Sequence, residues 1–573
     1  MASKAAKDTK AKSNTKKQSF EQTLWATADK LRGSVESSEY KHVVLSLIFL
    51  KFISDKFAER KQQLEAEGNG AYTDIVEFYT MANTFYLPED ARWDFIAKNA
   101  KQDDIAVKID TALHTVEKNN KALRGALPDN YFSRLGLDAS KLAALIDAIN
   151  NIDTIVSEEG SASETDIVGR VYEYFLGNFA ATEGKGGGEF YTPKCVVNLL
   201  AEMIEPYHGK IYDPCCGSGG MFVQSVKFVE NHQGNKKDIS IYGQEQTSTT
   251  YKLAKMNLAI RGISANLGDV PADTFFKDQH PDLKADFIIA NPPFNLKEWR
   301  GPDELTNDPR WAGYETPPTG NANYGWILHM ISKLSDNGVA GFVLANGSMS
   351  TNTKGEGEIR KQIIENDLVD CMIALPGQLF YTTQIPVCLW FLTKNKKAQT
   401  FSDGRKQHRN REGETLFIDA RNMGSMISRI HKELTADDIA DIANTYHAWR
   451  GEPVTCHSGT PDRHEGGNPE TNREDVASSC HSRAGGNPAS AETSSGYEDI
   501  PGFCKSATLD DIQANDYVLT PGRYVGAAEI EDDGELFEEK MQQLTQTLFQ
   551  QMAEAQELDA VIKQNLKGLG YGE

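Results

Sequence analysis

Between Phe20 and about Asn151, apolar residues recur at spacings near three and four. Val43, Leu47, Leu50 and Phe57 are separated by charged positions, a periodicity that predicts a helical region. From about Glu205 to Lys394 the pattern changes to short apolar runs alternating with helical stretches, as expected of a parallel sheet covered on both faces. The candidate strands are 210–212, 239–242, 286–290, 338–344, 369–373 and 386–392. Sheets of this kind bind ligands beyond the carboxyl ends of their strands, so the chemistry is expected in the residues that follow each run. Near the end of the chain, Leu536, Phe537, Met541, Leu544, Leu548 and Met552 stand at helical spacing within 534–566. Such an amphipathic helix packs on its own domain or docks on a partner.

Composition divides the chain further. The first twenty residues hold six lysines and one aspartate, so 1–18 reads as a disordered basic tail without the apolar centre of a secretory signal. Residues 451–497 are rich in Gly, Ser, Thr, Asn and Pro and cannot supply a core. They contain a near-repeat, in which Cys456, His457 and Ser458 with 466–469 are echoed by Cys480, His481 and Ser482 with 485–488. Two Cys-His pairs invite a zinc reading, but each Cys adjoins its His directly, unlike common zinc modules, and duplication of a short repeat yields the same pattern. The expected organisation is therefore a tail (1–18), a helical domain (19–155), a catalytic α/β domain (156–450), a repeat-like insertion (451–497) and a link with an amphipathic assembly helix (498–573).

Apolar residues make up 39% of the chain and charged residues 25%, which places it among folded globular proteins. The longest apolar runs, 43–49 and 385–392, fall well short of the roughly 20 residues of a membrane span, so no membrane association is expected. Eight cysteines scattered through an acidic chain suggest reduced thiols in the cytoplasm. A net charge of −22 opposes a phosphate backbone, so the chain alone is expected to bind DNA poorly.

Three motifs carry chemistry. The first, 213–222, reads Asp-Pro-Cys-Cys-Gly-Ser-Gly-Gly-Met-Phe, directly after a strand and opening a helix; its glycines let backbone approach a ligand. The second is Glu245, at the end of the next strand and placed to accept from a ribose diol; further on, Asp269 offers a carboxylate to an adenine amino group. The third is Asn291-Pro292-Pro293-Phe294, after the run 286–290. The prolines stiffen the turn and leave carbonyls free, so that the Asn291 side-chain oxygen and the Pro292 carbonyl can take both hydrogens of a planar amine. Phe294 offers a flat surface for a base.

The tetrapeptide with its upstream glycine loop resembles the amino-methyltransferases that use S-adenosylmethionine, in the motif order of the gamma class of DNA enzymes. A narrower match comes from 188–194, Gly-Glu-Phe-Tyr-Thr-Pro-Lys, and from the tracts 375–381 and 383–386. With the helical amino-terminal region, these resemble the modification subunit of type I restriction-modification enzymes over most of the chain. The resemblance implies an S-adenosylmethionine-dependent methyltransferase fold with a Rossmann-like, mostly parallel sheet, and site-specific methylation of adenine N6 without a metal. It implies cofactor contacts at Glu189, Phe190, Tyr191, Thr192, Pro193, Lys194, Ser218, Gly219, Gly220 and Glu245, with Asp213 and Asp269 as weaker additions. It also implies a specificity subunit for DNA recognition, a restriction helicase-nuclease subunit, double-stranded DNA, and two copies of this chain per specificity subunit. The insertion 451–497 departs from the family pattern. A stand-alone DNA adenine methyltransferase, or an RNA or protein amide methyltransferase, is the alternative. Phe380 reads as a buried strand-end aromatic, and Phe380 or Tyr381 as a second candidate face for the base.

Overall fold

The computed structural model describes residues 37–151, 192–232, 234–380, 385–400, 407–428, 431–452 and 496–527, with Trp25, Tyr174 and helical positions between 541 and 565. The expected basic tail, residues 188–191, Tyr381, residues 383–384 and the Cys-His repeat lie outside this set.

Helix α1 (Ser37–Ala66) contains neither glycine nor proline. Its residues Val43, Val44, Leu45, Leu47, Ile48 and Phe49 are all buried, the signature of a helix enclosed on every side. Around it pack α2 (Ile105–Asn119), through Ile105, Ile109, Leu113 and Val116, and α3 (Ala139–Asn150), through Leu142, Leu145, Ile146 and Ile149. Asp110 on α2 accepts from the backbone amides of Tyr131, Phe132 and Ser133, each at 2.9 Å, tying down the turn after Asn130. The same core takes in Leu253, Met256 and Ile260 from a helix of the catalytic region, and Lys255 there donates to the Arg124 carbonyl at 3.0 Å.

The catalytic region is built on nine strands: β1 (Gly209–Asp213), β2 (Ile239–Gly243), β3 (Ala265–Asn266), β4 (Ala285–Ala290), β5 (Leu334–Ala345), β6 (Val369–Ala374), β7 (Val387–Thr393), β8 (Glu414–Asp419) and β9 (Cys504–Thr508). Their order is β9-β8-β6-β7-β5-β4-β1-β2-β3. β7 runs antiparallel to β5 and β6, and β9 antiparallel to β8, while the remaining pairs are parallel. All six expected strands are in this sheet. Alternation sorts their side chains: Ile289, Val343, Leu389 and Phe391 enter the core beneath α4 (Lys194–Ile204) and α9 (Ala436–Arg450). Ile288, Phe342, Leu344 and Trp390 enter the opposite core, with α7 (Asn323–Lys333) and α8 (Glu356–Glu365). α5 (Gly220–Asn231) follows β1, and α6 (Ser248–Ile260) follows β2. From β1 the chain winds outward through β2 and β3, then returns to β4 on the other side of β1. The switch point between β1 and β4 is where such a sheet opens a crevice.

The sheet extends beyond the expected catalytic boundary at residue 450. β9 is its edge strand and lies past the insertion, and the following segment, expected as a short link, is core. Leu519 is fully buried, and Tyr524 stacks on Phe417 of β8 with centroids 3.8 Å apart. Each buried side chain of this size is worth roughly 1.5–3 kcal/mol, so the stretch is integral to the domain. Both flanks of the insertion are anchored. Upstream, the buried Glu452 is paired with His408 at 2.8 Å, Arg450 at 3.1 Å and His447 at 3.1 Å. Downstream, Asp499 accepts from the Tyr497 hydroxyl at 3.0 Å and the Ser506 amide at 2.9 Å.

Residues 526–573 form a unit of their own, in which the described positions between 541 and 565 are helical. Met541, Leu548 and Met552, spaced by seven and four, are exposed, as are Leu558 and Ile562. Among the described residues no helix is long and apolar enough to cross a membrane.

Candidate active site

The glycine motif and the Asn-Pro-Pro-Phe motif leave the carboxyl ends of β1 and β4, adjacent strands at the switch point, so the topology brings together segments about 80 residues apart. After β1 the chain turns over Asp213, whose buried carboxylate accepts from the Cys215 amide at 3.0 Å. The end of β2 braces this turn. Gln244 donates its amide to the Asp213 carbonyl at 3.1 Å, the Cys216 amide donates to the Gln244 carbonyl at 2.9 Å, and the Gly217 amide donates to Glu245 Oε2 at 3.1 Å. Glu245 Oε1 accepts from the Thr247 amide at 2.7 Å.

The glycines divide by role. Gly219 is the N-cap of α5 with φ +78°, a conformation that an L side chain adopts only with strain, although a Cβ there would meet Leu258 at an ordinary 3.4 Å. At Gly217 and Gly220 a Cβ would meet nothing within 4 Å, so these two positions border open space. That space is a cleft open to solvent. Thr192, Lys194 and Val197 line its second wall, at the start of α4, where Pro193 is the N-cap residue.

Asn291 closes the cleft. Its Nδ2 donates to Thr192 Oγ1 at 2.9 Å, which orients the carboxamide, and its Oδ1 is buried without a hydrogen-bond partner. A buried, unpaired acceptor is costly in isolation and marks a place where a donor fits. Phe294 lies edge-on to the buried Phe380, with centroids 5.8 Å apart and planes at 71°. The turn is locked from behind: Asn323, at the start of α7, accepts from the Asn295 amide at 3.1 Å and donates to Asn295 Oδ1 at 3.0 Å. Asn295 itself has φ +53°, a left-handed conformation suited to asparagine, so the reciprocal pair fixes the direction in which the chain leaves Phe294.

Burial is the main cause that pushes the Asp213 carboxyl up to about 7, and the charge of Glu245 adds to it. The same burial raises the Cys215 and Cys216 thiols well above their usual value, so both remain protonated rather than nucleophilic.

Of the expected site residues, Thr192, Lys194, Asp213, Ser218, Gly220 and Asn291 line the one cleft. Pro193 and Gly219 cap the helices that border it, and Glu245 reaches its rim through Gly217. Pro292, Pro293 and Phe294 continue from Asn291, with Pro292 buried and the other two half-buried. Asp269 is exposed on the loop after β3, where its backbone amide donates to Gln279 at 3.0 Å, and it does not line the cleft. Glu189, Phe190 and Tyr191 lie outside the described residues. Gln224, Asn257 and Arg261 also line the cleft and were not anticipated. Asn257 is buried and donates to the Ser218 carbonyl at 2.8 Å, holding the glycine turn against α6. The i,i+4 pair Asn257 and Arg261, with Asn257 set between the apolar residues Met256 and Leu258, is the signal that could have found it.

The chain is similar to known proteins over most of its length. The N-6 DNA Methylase family model matches residues 163–533, and the HsdM N-terminal domain model matches residues 20–151. The type I restriction enzyme HindI methylase subunit of Haemophilus influenzae is 47% identical over 501 residues, covering 85% of this chain and all of that relative. The MjaIX methylase subunit of Methanocaldococcus jannaschii is 37% identical, covering 96% of this chain and 92% of that one. Among solved structures, the type I restriction-modification methyltransferase subunit from Streptococcus thermophilus superposes with a TM-score of 0.65 at 22% identity, over 88% of this chain and 99% of that one, a likeness of fold.

Proposed function

The chain belongs to the family of type I restriction enzyme methylase subunits, DNA methyltransferases acting at adenine N6, and we propose that Asn291, Pro292, Pro293 and Phe294 are the residues that handle the target base. The observation that carries this reading is the buried, unpartnered Oδ1 of Asn291 at the wall of the cleft, oriented by Thr192. S-adenosylmethionine, when bound, supplies an electrophilic methyl group and departs as a neutral thioether. The cleft suits it: Gly217 and Gly220 leave room where any side chain would intrude, and Asp213 offers a carboxylate to a cationic ligand. Thr192, Lys194, Ser218 and Gly220 would hold it, with Glu245 at the rim.

Asn291 Oδ1 and the Pro292 carbonyl accept the two amino hydrogens of the adenine, which draws electron density onto N6 and fixes the direction of its lone pair. Phe294, braced by Phe380, provides the face for a base swung out of the duplex. These groups act by alignment, and the Asn323 lock on Asn295 keeps them aligned.

The charge of −22 and the exposed stripe Met541, Leu548 and Met552 support a division of labour. A specificity subunit supplies the base-reading surface, and the carboxyl-terminal helix docks on it. The assembly we infer also holds a restriction helicase-nuclease subunit and two copies of this chain per specificity subunit, and works in the cytoplasm on double-stranded DNA.

Replacing Asn291 with Ala tests the reading. Turnover falls roughly 100-fold or more, as for other preorganised transition-state hydrogen bonds, while calorimetry shows cofactor affinity little changed. Near-normal turnover would remove Asn291 from the mechanism.

A further inference from the structure

Among the described residues, two side-chain carboxamides at the carboxyl edge of the sheet have buried oxygens without a hydrogen-bond partner, those of Asn291 and Asn346. Asn346 follows β5 directly, and β5 is the parallel neighbour of β4, with Ala290 in register with Phe342. Asn291 follows β4 as Asn346 follows β5, so both asparagines emerge from the carboxyl edge of adjacent parallel strands, with Asn346 three residues farther along in register and level with Phe294. The backbone around Asn346 is fixed. Its amide donates to the Pro386 carbonyl at 3.4 Å, beside the entry to β7, only a few residues along the chain from Phe380. The turn Asn346–Met349 is held from beneath by the Tyr324 hydroxyl on the Ser348 carbonyl at 2.7 Å, by Trp390 Nε1 on Ser348 Oγ at 3.0 Å and by the Leu519 amide on the Met349 carbonyl at 2.9 Å. A side-chain amide carried on a turn held this rigidly, with its oxygen buried and unused, is placed to meet a donor that arrives with the substrate.

We propose that Asn346 reads the N7 edge of the target adenine: its Oδ1 shares the amino hydrogen on the N7 side with the Pro292 carbonyl, and its Nδ2 donates to N7. A carboxamide matches the N6/N7 edge of adenine, accepting from the amino group and donating to the ring nitrogen. Cytosine carries a similar amino group, which Asn291 and Pro292 would grip equally well, but has a C–H where adenine has N7. It therefore leaves Nδ2 of Asn346 unpaired. Asn291 and Pro292 thus act on what the two bases share, and Asn346 on what separates them. The inference rests on the adenine-N6 reading of the cleft.

The test uses the full chain reconstituted with its specificity partner, on DNA carrying adenine or 7-deazaadenine at the target position. For the wild type, removing N7 lowers kcat/KM roughly 10-fold or more, the range of a lost base-edge contact. Asn346→Ala lowers kcat/KM on adenine by a similar factor, binds cofactor normally, and pays no further penalty with 7-deazaadenine. Asn346→Asp, which keeps the shape but loses the donor, shows the same indifference to N7 and serves if the alanine variant fails to fold. A variant that keeps the full wild-type penalty for 7-deazaadenine overturns the inference while the adenine reading stands. A wild-type complex that does not methylate adenine overturns both.

Discussion

The Gly217 amide donates to Glu245 Oε2 at 3.1 Å, joining the glycine turn after β1 to the acid at the end of β2. The other carboxylate oxygen accepts from the Thr247 amide at 2.7 Å. Glu245 therefore holds the rim of the cleft in shape.

Glu245→Ala is expected to weaken S-adenosylmethionine binding roughly 10- to 100-fold, the worth of one or two hydrogen bonds to a charged group. Because the contact is present in ground and transition states alike, the loss appears in the half-saturation value and leaves kcat at saturating cofactor nearly unchanged. Glu245→Gln, which retains an acceptor, loses less. Unchanged cofactor affinity in a folded alanine variant contradicts the assignment.

Asp213 predicts a pH dependence of stability. Its folded-state value of about 7 stands above the ordinary carboxylate value, so between about pH 4 and pH 7 the folded chain binds the proton that the unfolded chain has released. Stability then falls as pH rises through that window, by up to roughly 4 kcal/mol from this group alone. Asp213→Asn removes the titration and keeps an acceptor for the Cys215 amide. The melting temperature of the variant minus that of the wild type should grow from pH 5 to pH 8 in the absence of cofactor. A difference that stays flat with pH contradicts the account.

The insertion supplies a third test. Glu452 and Asp499 secure its two flanks independently of the repeat, so deleting residues 456–495 should leave the melting temperature and methyl transfer close to those of the whole chain. One equivalent of zinc in the purified protein, lost on deletion together with stability, would show instead that the Cys-His pairs form a metal site.

The central sheet and the order of its motifs were legible because strands buried on both faces read as short continuous apolar runs, and Asp213 and Asn291 stand directly after such runs. β9 was not legible, since Cys504–Thr508 carries few apolar residues and lies beyond 47 residues of core-poor sequence, with nothing local to tie it to β8. β3, with two residues, is too short to carry any period. Asn257 and Asn323 were missed for a different reason: each acts through a backbone group brought to it by tertiary packing, the Ser218 carbonyl for one and the Asn295 amide for the other. Asp269, an acid after a strand, stands exposed on the loop after Gly268 and is not among the residues that line the cleft. Phe380 was read correctly as a buried aromatic, and its packing against Phe294 gives it the supporting role that burial allows.

The most direct measurement is methyl transfer to DNA by the purified chain, alone and with its specificity partner, followed by mapping of the modified nucleoside. A net charge of −22 leaves the isolated chain poorly able to hold a duplex, whereas the exposed stripe on its carboxyl-terminal helix suits it to dock on a partner that can. The account predicts that the chain alone binds S-adenosylmethionine but methylates DNA poorly, and that adding the partner yields N6-methyladenine at one defined sequence. Robust site-specific methylation by the isolated chain would contradict the division of labour, and N4-methylcytosine in place of N6-methyladenine would contradict the central claim.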